Sequence, residues 1–293
     1  MANRSFIKWA GGKGAIVEEI KKYLSGGKRL IEPFVGAGNV FINTDYREYF
    51  LNDINSDLIN VYDNLCSRPD YFIVDLAADF IAGNSENVYR QARDHFNSLA
   101  TAFMDPAKLS YELWQKALLF VYLNRHGYGG ICRYNSSGKF NVPYGKNKTV
   151  YFPESELRMF ADKLQRNVIV SNYDFEEVIN EAGPGDDIYC DPPYLPKSKT
   201  ANFVGYHSSP FGIEQHKRLN AALVRAVSRG AKVVLSNSDT PETREIYKYF
   251  DFHTVNAPRS ITQKGGDGKR VNEVIAVLDA EILAQFTNEV GHD

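Results

Sequence analysis

The residues best suited to chemistry stand together in Asp191-Pro192-Pro193-Tyr194, directly after the short apolar run Ile188-Tyr189-Cys190. Two successive prolines cannot continue a central strand, and each restricts the residue before it, so the tetrapeptide predicts a stiff loop at a strand end. In an open α/β sheet, ligands bind at that carboxyl edge. The loop offers the Asp191 carboxylate, proline carbonyls whose own nitrogens carry no hydrogen, and the aromatic face of Tyr194. Such a set suits an exocyclic amine on a conjugated ring. The amine is a poor nucleophile because its lone pair is delocalised into the ring. Asp191 and the Pro192 carbonyl can each accept one of its hydrogens and turn the lone pair outward, while Tyr194 stacks on the ring.

A second cluster is Phe34-Val35-Gly36-Ala37-Gly38, which follows the apolar run Leu30-Ile31. It lacks the third glycine of the dinucleotide fingerprint, which disfavours a nicotinamide or flavin pyrophosphate. Bare glycines still let a ligand lie against backbone at a helix N-terminus. Asp53, at the end of the next strand-like run, is suited to accept from ribose hydroxyls. The segment Phe6 to Lys13 superficially suggests a phosphate loop, but Gly14 follows the lysine and the G-x-x-x-x-G-K-[ST] spacing is absent, so an ATPase reading fails. No G-x-S-x-G occurs, and the six histidines show no metal-ligand spacing. Neither a hydrolase nor a metalloenzyme is indicated, and no metal is expected.

These residues need a scaffold. The chain has 293 residues, 43% hydrophobic and 24% charged, which suits one or two globular domains and excludes disordered, collagen-like and disulfide-scaffold classes. The opening residues have no apolar export core, and the longest apolar run, Leu118 to Leu123, is far shorter than a membrane span. No membrane association is expected. Cys66, Cys132 and Cys190 form an odd set without C-x-x-C spacing, which fits a reducing, cytosolic setting.

Strand, glycine turn, helix-like stretch and strand up to Asn52-Asp53 read as one βαβ unit. A helix is expected from Ile16 to Leu24. Val168-Ile169-Val170, Ile188-Tyr189-Cys190 and Lys232-Val233-Val234-Leu235 suit buried parallel strands, with a helix from Glu214 to Ser228 before the last. Phe252 to Asn256 and Asn272 to Leu278 read as an antiparallel ending. Between about Ser56 and Lys148 the pattern changes to helices, such as Leu113 to Asn124, and then to a hairpin around Ser136-Ser137-Gly138-Lys139. The expected fold is α/β, a Rossmann-like mixed sheet, mostly parallel with an antiparallel C-terminal hairpin. Residues 1–55 and 149–293 form its catalytic, cofactor-binding domain, and 56–148 an inserted helical and β-hairpin domain.

The net charge of -2 argues against a generic nucleic-acid coat, yet the charge is segregated. Arg125 to Lys148 contains no acid, while Arg125, Arg133, Lys139, Lys146 and Lys148 alternate with Tyr128, Tyr134, Phe140 and Tyr144. Residues 192–213 also lack acids and carry Lys197 and Lys199, and Arg259, Lys264, Lys269 and Arg270 outnumber Asp267. A hairpin with Arg133 at its stem fits a major groove, where guanine offers two acceptors to a guanidinium. Lys139, Lys146 and Lys148 suit phosphates. Tyr128, flanked by glycines, can fill a stack from which a base has been drawn.

FIKWAGGK, EPFVGAG, LNDINSDLI, YLNRHGYGGICRYNSSGKFNVPYG and DPPY, in this order, give the chain a resemblance to the Dam-type DNA adenine-N6 methyltransferases over nearly its whole length. The resemblance implies methyl transfer from S-adenosylmethionine to a flipped adenine, usually in GATC, by a catalytic domain interrupted by a target-recognition domain. Matched by position, it implies a cofactor site of Trp9, Lys13, Glu32, Phe34, Gly36, Gly38, Asp53 and Asp191, and a catalytic loop of Asp191, Pro192, Pro193 and Tyr194. Lys8, Tyr128, Ile131, Arg133, Asn135, Pro143 and Lys146 match DNA-meeting positions, and Arg93 a phosphate contact. Gly129 stands where the bacterial pattern has asparagine, and Lys146-Asn147 replaces an Arg-Tyr pair. The implied protein is a monomer acting on double-stranded DNA in the cytoplasm of a bacterium or phage-infected host. Two rivals stay open on the residues alone: methylation of cytosine N4 or an RNA base by the same loop, and a non-catalytic DNA-binding module.

Overall fold

A computed structural model of the chain describes residues 2–99, 106–195, 211–257 and 271–289. A 3-10 turn at Lys13–Ala15 and the short helix α1 (Val17–Lys21) lead into strands β1 (Arg29–Glu32) and β2 (Glu48–Asn52). Four helices follow, α2 (Ser56–Ser67), α3 (Pro69–Ala82), α4 (Glu86–Ser98) and α5 (Pro106–His126), then an irregular hairpin. The chain resumes with α6 (Glu154–Leu164), β3 (Val168–Ser171), α7 (Phe175–Asn180), β4 (Asp186–Cys190), α8 (Ile213–Ser228), β5 (Lys232–Ser238) and α9 (Pro241–Ile246). It closes with β6 (Asp251–Ala257), β7 (Val271–Leu278) and α10 (Ala280–Glu289).

The seven strands form one sheet in the order β3-β2-β1-β4-β5-β7-β6. The first five are parallel, and β7 lies antiparallel between β5 and β6. From β1 the chain steps outward to β2 and β3, then returns to β4 on the other side. The carboxyl ends of β1 and β4 therefore flank a topological switch point, where a crevice opens.

Alternation along the strands feeds two cores. Leu30, Tyr49, Leu51 and Tyr189 face one way and share a core with Leu58 of α2, Phe72 of α3, Phe120 of α5 and Phe140 of the hairpin. Ile31, Phe50, Ile188 and Val233 face the other way, onto Leu219, Ala222, Leu223 and Ala226. The spacing of those four residues gives α8 an apolar stripe toward the sheet. Helix starts are fixed locally: Asn55 and Ser85 accept from the Leu58 and Val88 N–H groups, and Asp174 with Glu177 forms a capping box.

Three expectations change. The helix expected to reach Leu24 stops at Lys21, because Ser25 is drawn out to Asp187, whose carboxylate accepts from its N–H at 2.7 Å and its hydroxyl at 2.6 Å. The crossover from β1 to β2 is a 3-10 turn, Phe41–Asn43, instead of a helix; the Asn43 amide ties it to the Asn3 and Asn39 carbonyls. The hairpin carries two isolated bridges, Gly127 to Tyr144 and Tyr134 to Phe140, instead of a continuous ladder, and near its tip the Asn135 side chain accepts from the Ser137 and Lys139 N–H groups and curls the chain. The antiparallel ending and the strands at 168, 188 and 232 form where expected. Lys197, Lys199, Arg259, Lys264, Asp267, Lys269 and Arg270 lie outside the described residues.

Candidate active site

The ends of the adjacent strands β2, β1 and β4 bring Asp53, the glycine turn and Asp191 to one edge of the sheet. After β1, the Val35 N–H donates to the Asn52 carbonyl at 2.8 Å, and the Gly36 N–H donates to Asp53 Oδ2 at 3.0 Å. Asp53 Oδ1 accepts from the Asn55 N–H at 2.9 Å. Gly36 is left-handed at φ +49°, and a Cβ there would sit 2.9 Å from Trp9 Cδ1. Glycine is thus what lets the Trp9 indole lie on the turn. At Gly38, φ +66°, a Cβ would meet the Phe160 ring at 2.8 Å. Tyr62 locks the turn from below by donating to the Gly36 carbonyl. The glycine turn, the Trp9 indole and the Asp53 carboxylate thus lie together at this edge of the sheet. Phe34 turns to the other face of the sheet, against Phe175 and Phe211.

Asp191 begins the loop after β4. Lys13 Nζ lies 2.8 Å from Asp191 Oδ1 and 4.8 Å above the Tyr194 ring, and donates to the Gly11 carbonyl at 2.6 Å. Lys13 thus sets its ammonium against both the Asp191 carboxylate and the Tyr194 ring. The Tyr194 hydroxyl donates to Glu273 Oε2 at 3.0 Å. Burial pushes the Asp191 carboxyl up to about 6; Lys13 pulls it down, and the Glu273 charge adds to the rise.

Glu32, at the end of β1, is fully buried, and burial pushes it up to about 8 against the attraction of Lys163 and a bond from Phe41. Its Oε1 meets no hydrogen-bond partner. Lys163 caps the Phe41 and Thr44 carbonyls, and burial pulls its ammonium down to about 8.

Asn124, near the end of α5, makes three hydrogen bonds to two other chain segments. Its Oδ1 accepts from the Lys8 N–H at 2.9 Å, and its amide donates to the Lys8 and Gly130 carbonyls at 2.8 and 3.0 Å. Lys8 is thereby held against Gly130, and the Lys8 and Tyr128 side chains are both exposed. A cleft of about 480 Å³ runs between Trp9 on the glycine-turn side and Gly129 on the hairpin side. Arg133 folds across its own hairpin, with Nε on Asn141 Oδ1 at 2.8 Å and Nη2 on the Asn141 carbonyl at 3.0 Å. Arg93 Nη1 donates to the Val142 carbonyl at 3.3 Å, a brace for that hairpin. Asn135, Pro143 and Lys146 are exposed, Ile131 is half-buried, and Lys146 adopts φ +54°.

The residue types in the motifs did not point to Glu273, Asn124 or the pair Asn55 and Asp57. Asn55 Nδ2 contacts Cys132 Sγ at 3.7 Å, Asp57 Oδ2 accepts from the Tyr134 hydroxyl at 2.6 Å, and Lys116 pairs with Asp57 Oδ1 at 2.9 Å. A lone acid within the apolar run of β7 was the available signal for Glu273.

Residues 9–261 match the family model described as D12 class N6 adenine-specific DNA methyltransferase. The chain belongs to that family. Its relatives include the DNA adenine methylases of Escherichia coli (strain K12), 44% identical over 283 residues, 96% of this chain and 98% of the relative. That of Salmonella typhi is 43% identical over 276 residues, 94% and 95%, and that of Vibrio cholerae serotype O1 40% over 284 residues, 96% and 98%. This D12 methyltransferase is thus an enzyme acting on DNA, with the N6 amine of adenine as its target, and the readings as a cytosine or RNA enzyme or a non-catalytic module fall away. Among the described residues no helix is long and apolar enough to cross a membrane, and no group of three or more His, Cys, Asp or Glu side chains is arranged to hold a metal.

Proposed function

We propose that this D12 methyltransferase modifies adenine in GATC within double-stranded DNA, takes its methyl group from S-adenosylmethionine, and extrudes the target base. It works as a monomer in the cytoplasm. The observation that carries this reading is the common edge of three adjacent strands, where the glycine turn, Asp53 and Asp191-Pro192-Pro193-Tyr194 all stand at strand ends. S-adenosylmethionine supplies an electrophilic methyl on a sulfonium, a good leaving group, so no metal is required.

This chain's residues supply alignment. Trp9, Gly36 and Gly38 shape the cofactor cradle, with Phe34 contributing backbone only because its ring lies against Phe175 and Phe211; Asp53 accepts from ribose hydroxyls, and Lys13 and Glu32 border the cofactor's other end. Asp191 and the Pro192 carbonyl accept the two amine hydrogens, Pro193 stiffens the loop, and Tyr194 stacks on the extruded base. Stabilising the charge that develops on nitrogen is an acceptor's task, so Asp191 need not be a strong base. Residues 1–55 and 149–293 carry the transfer, and 56–148 read DNA. Tyr128 fills the vacated stack, Ile131, Arg133 and Pro143 meet base edges with Lys8, and Arg93, Asn135 and Lys146 grip the backbone.

The test is nucleoside mass spectrometry of duplex DNA incubated with the enzyme and S-adenosylmethionine, with mapping of the modified sites. N6-methyladenine confined to GATC is expected. Methylated adenine spread over unrelated sequences would overturn the assigned specificity.

A further inference from the structure

The loop Asp191-Pro192-Pro193-Tyr194 has an unusual anchoring problem. Neither proline has an N–H to donate, so a neighbour that donates to a proline carbonyl is one of the few backbone anchors open to this loop. His216, on α8 and fully buried, is that neighbour: its Nε2 lies 3.0 Å from the Pro193 oxygen. Its Nδ1 lies 2.8 Å from the hydroxyl of Tyr247, which is also fully buried. A carbonyl oxygen only accepts, so Nε2 carries the hydrogen; Nδ1 is then bare and accepts from the Tyr247 hydroxyl. The two contacts select one neutral tautomer. The Phe211 ring closes the pocket edge-on, 4.9 Å from the imidazole. Burial also pulls the His216 pKa down to about 4, in keeping with a neutral ring.

We infer that His216 is a positioning residue for methyl transfer: its Nε2–H holds the Pro193 carbonyl, and so aims the Pro192 carbonyl and the Tyr194 ring at the target amine. This rests on the reading of Asp191 to Tyr194 as the catalytic loop. His216 touches neither cofactor nor DNA. Its effect is confined to the geometry of the loop, where displacement by about 1 Å costs on the order of a hundredfold in rate.

The discriminating pair is His216→Gln and His216→Asn in the full chain. Gln can place its amide N–H where Nε2 lay, whereas the Asn amide ends where Nδ1 lay and cannot reach Pro193. Single-turnover methylation of a GATC duplex at saturating S-adenosylmethionine should fall about 10- to 100-fold for H216N and stay within about threefold for H216Q. Dissociation constants for DNA and cofactor should move less than about twofold for both. If H216N is too unstable to assay, His216→Leu serves as the variant without a donor.

Asp191→Ala, which leaves no acceptor on that side chain, is the control for the underlying reading. A D191A variant within tenfold of wild type shows that the loop is not catalytic and removes the inference with it. An inactive D191A beside non-donor His216 variants as fast as wild type overturns the role of His216 alone. So does an H216Q with the thermal midpoint of wild type but the slow rate of H216N.

Discussion

Replacing Glu32 by Gln should stabilise the protein at alkaline pH and change little near pH 5. Glu32 is 1% exposed at the end of β1, its Oε1 meets no hydrogen-bond partner, and burial raises its carboxyl from 4.5 to about 8. The unfolded chain releases this proton near 4.5 and the folded chain only near 8. Within that window the folded form binds the extra proton, so raising the pH favours unfolding. The stabilisation is complete below about pH 4.5 and lost as the pH climbs through about 8. At about 1.4 kcal/mol per pH unit, the separation corresponds to roughly 5 kcal/mol, comparable to the lower end of a protein's whole stability. Gln is the closest uncharged copy of the protonated side chain and has no such dependence. Urea unfolding near pH 5, 7 and 9 measures the difference. Wild type and E32Q should coincide near pH 5 and separate progressively toward pH 9, with the variant more stable. Parallel curves at all three values would show that Glu32 is charged in the folded protein and that the burial argument fails.

The methylation rate should carry an acid limb set by Asp191: burial raises its carboxyl to about 6, and only the ionised form accepts two-sidedly, so the single-turnover rate should fall as pH drops through 6. A flat profile from pH 5 to 8 would contradict the acceptor role. Asp53→Ala should weaken S-adenosylmethionine binding by roughly 1.5 to 3 kcal/mol through loss of a charged acceptor; an unchanged calorimetric dissociation constant would leave Asp53 only as the brace of Gly36. Arg133→Ala should cost roughly 1 to 3 kcal/mol on GATC and relax discrimination at one base pair, whereas Lys146→Ala should weaken binding to every sequence and lower the salt slope by about one charge. Duplexes substituted at each position, at two salt concentrations, separate the two; a uniform loss with R133A would make Arg133 a phosphate contact.

The strands were legible because a fully buried parallel strand leaves an uninterrupted apolar run, as at 188–190 and 232–235, and because Pro-Pro marks a strand end without reference to the rest of the chain. The early helix was overestimated because the hydrogen bonds that end it come from Asp187, far away in sequence, which no local pattern encodes. The hairpin was seen through its turn residues and yet drawn too regular, since the Asn135 side chain competes for the N–H groups of the ladder. Site residues carried by motifs were legible by type and order. Glu273, Asn124 and His216 were not: each acts through partners brought in by tertiary folding, and a single polar residue in an apolar stretch reads the same whether it anchors a loop or only satisfies itself.

Arg133 is flanked in sequence by two residues whose partners lie on α2: Cys132 contacts Asn55, and Tyr134 bonds to Asp57. Asn55 also sends its own N–H to Asp53, so the floor of the cradle and the stem of the hairpin share one helix start. The hairpin is consequently a poor unit for transplantation. A chimera that exchanges only residues 127–145 for those of another methyltransferase would seat a foreign stem on this α2, and would need compatible side chains at 55, 57 and 116 before the grafted loop kept its aim. If the hairpin reads DNA as proposed, sequence preference is inherited with the first turn of α2, and engineering one without the other should yield a binder out of alignment with its own methyl donor.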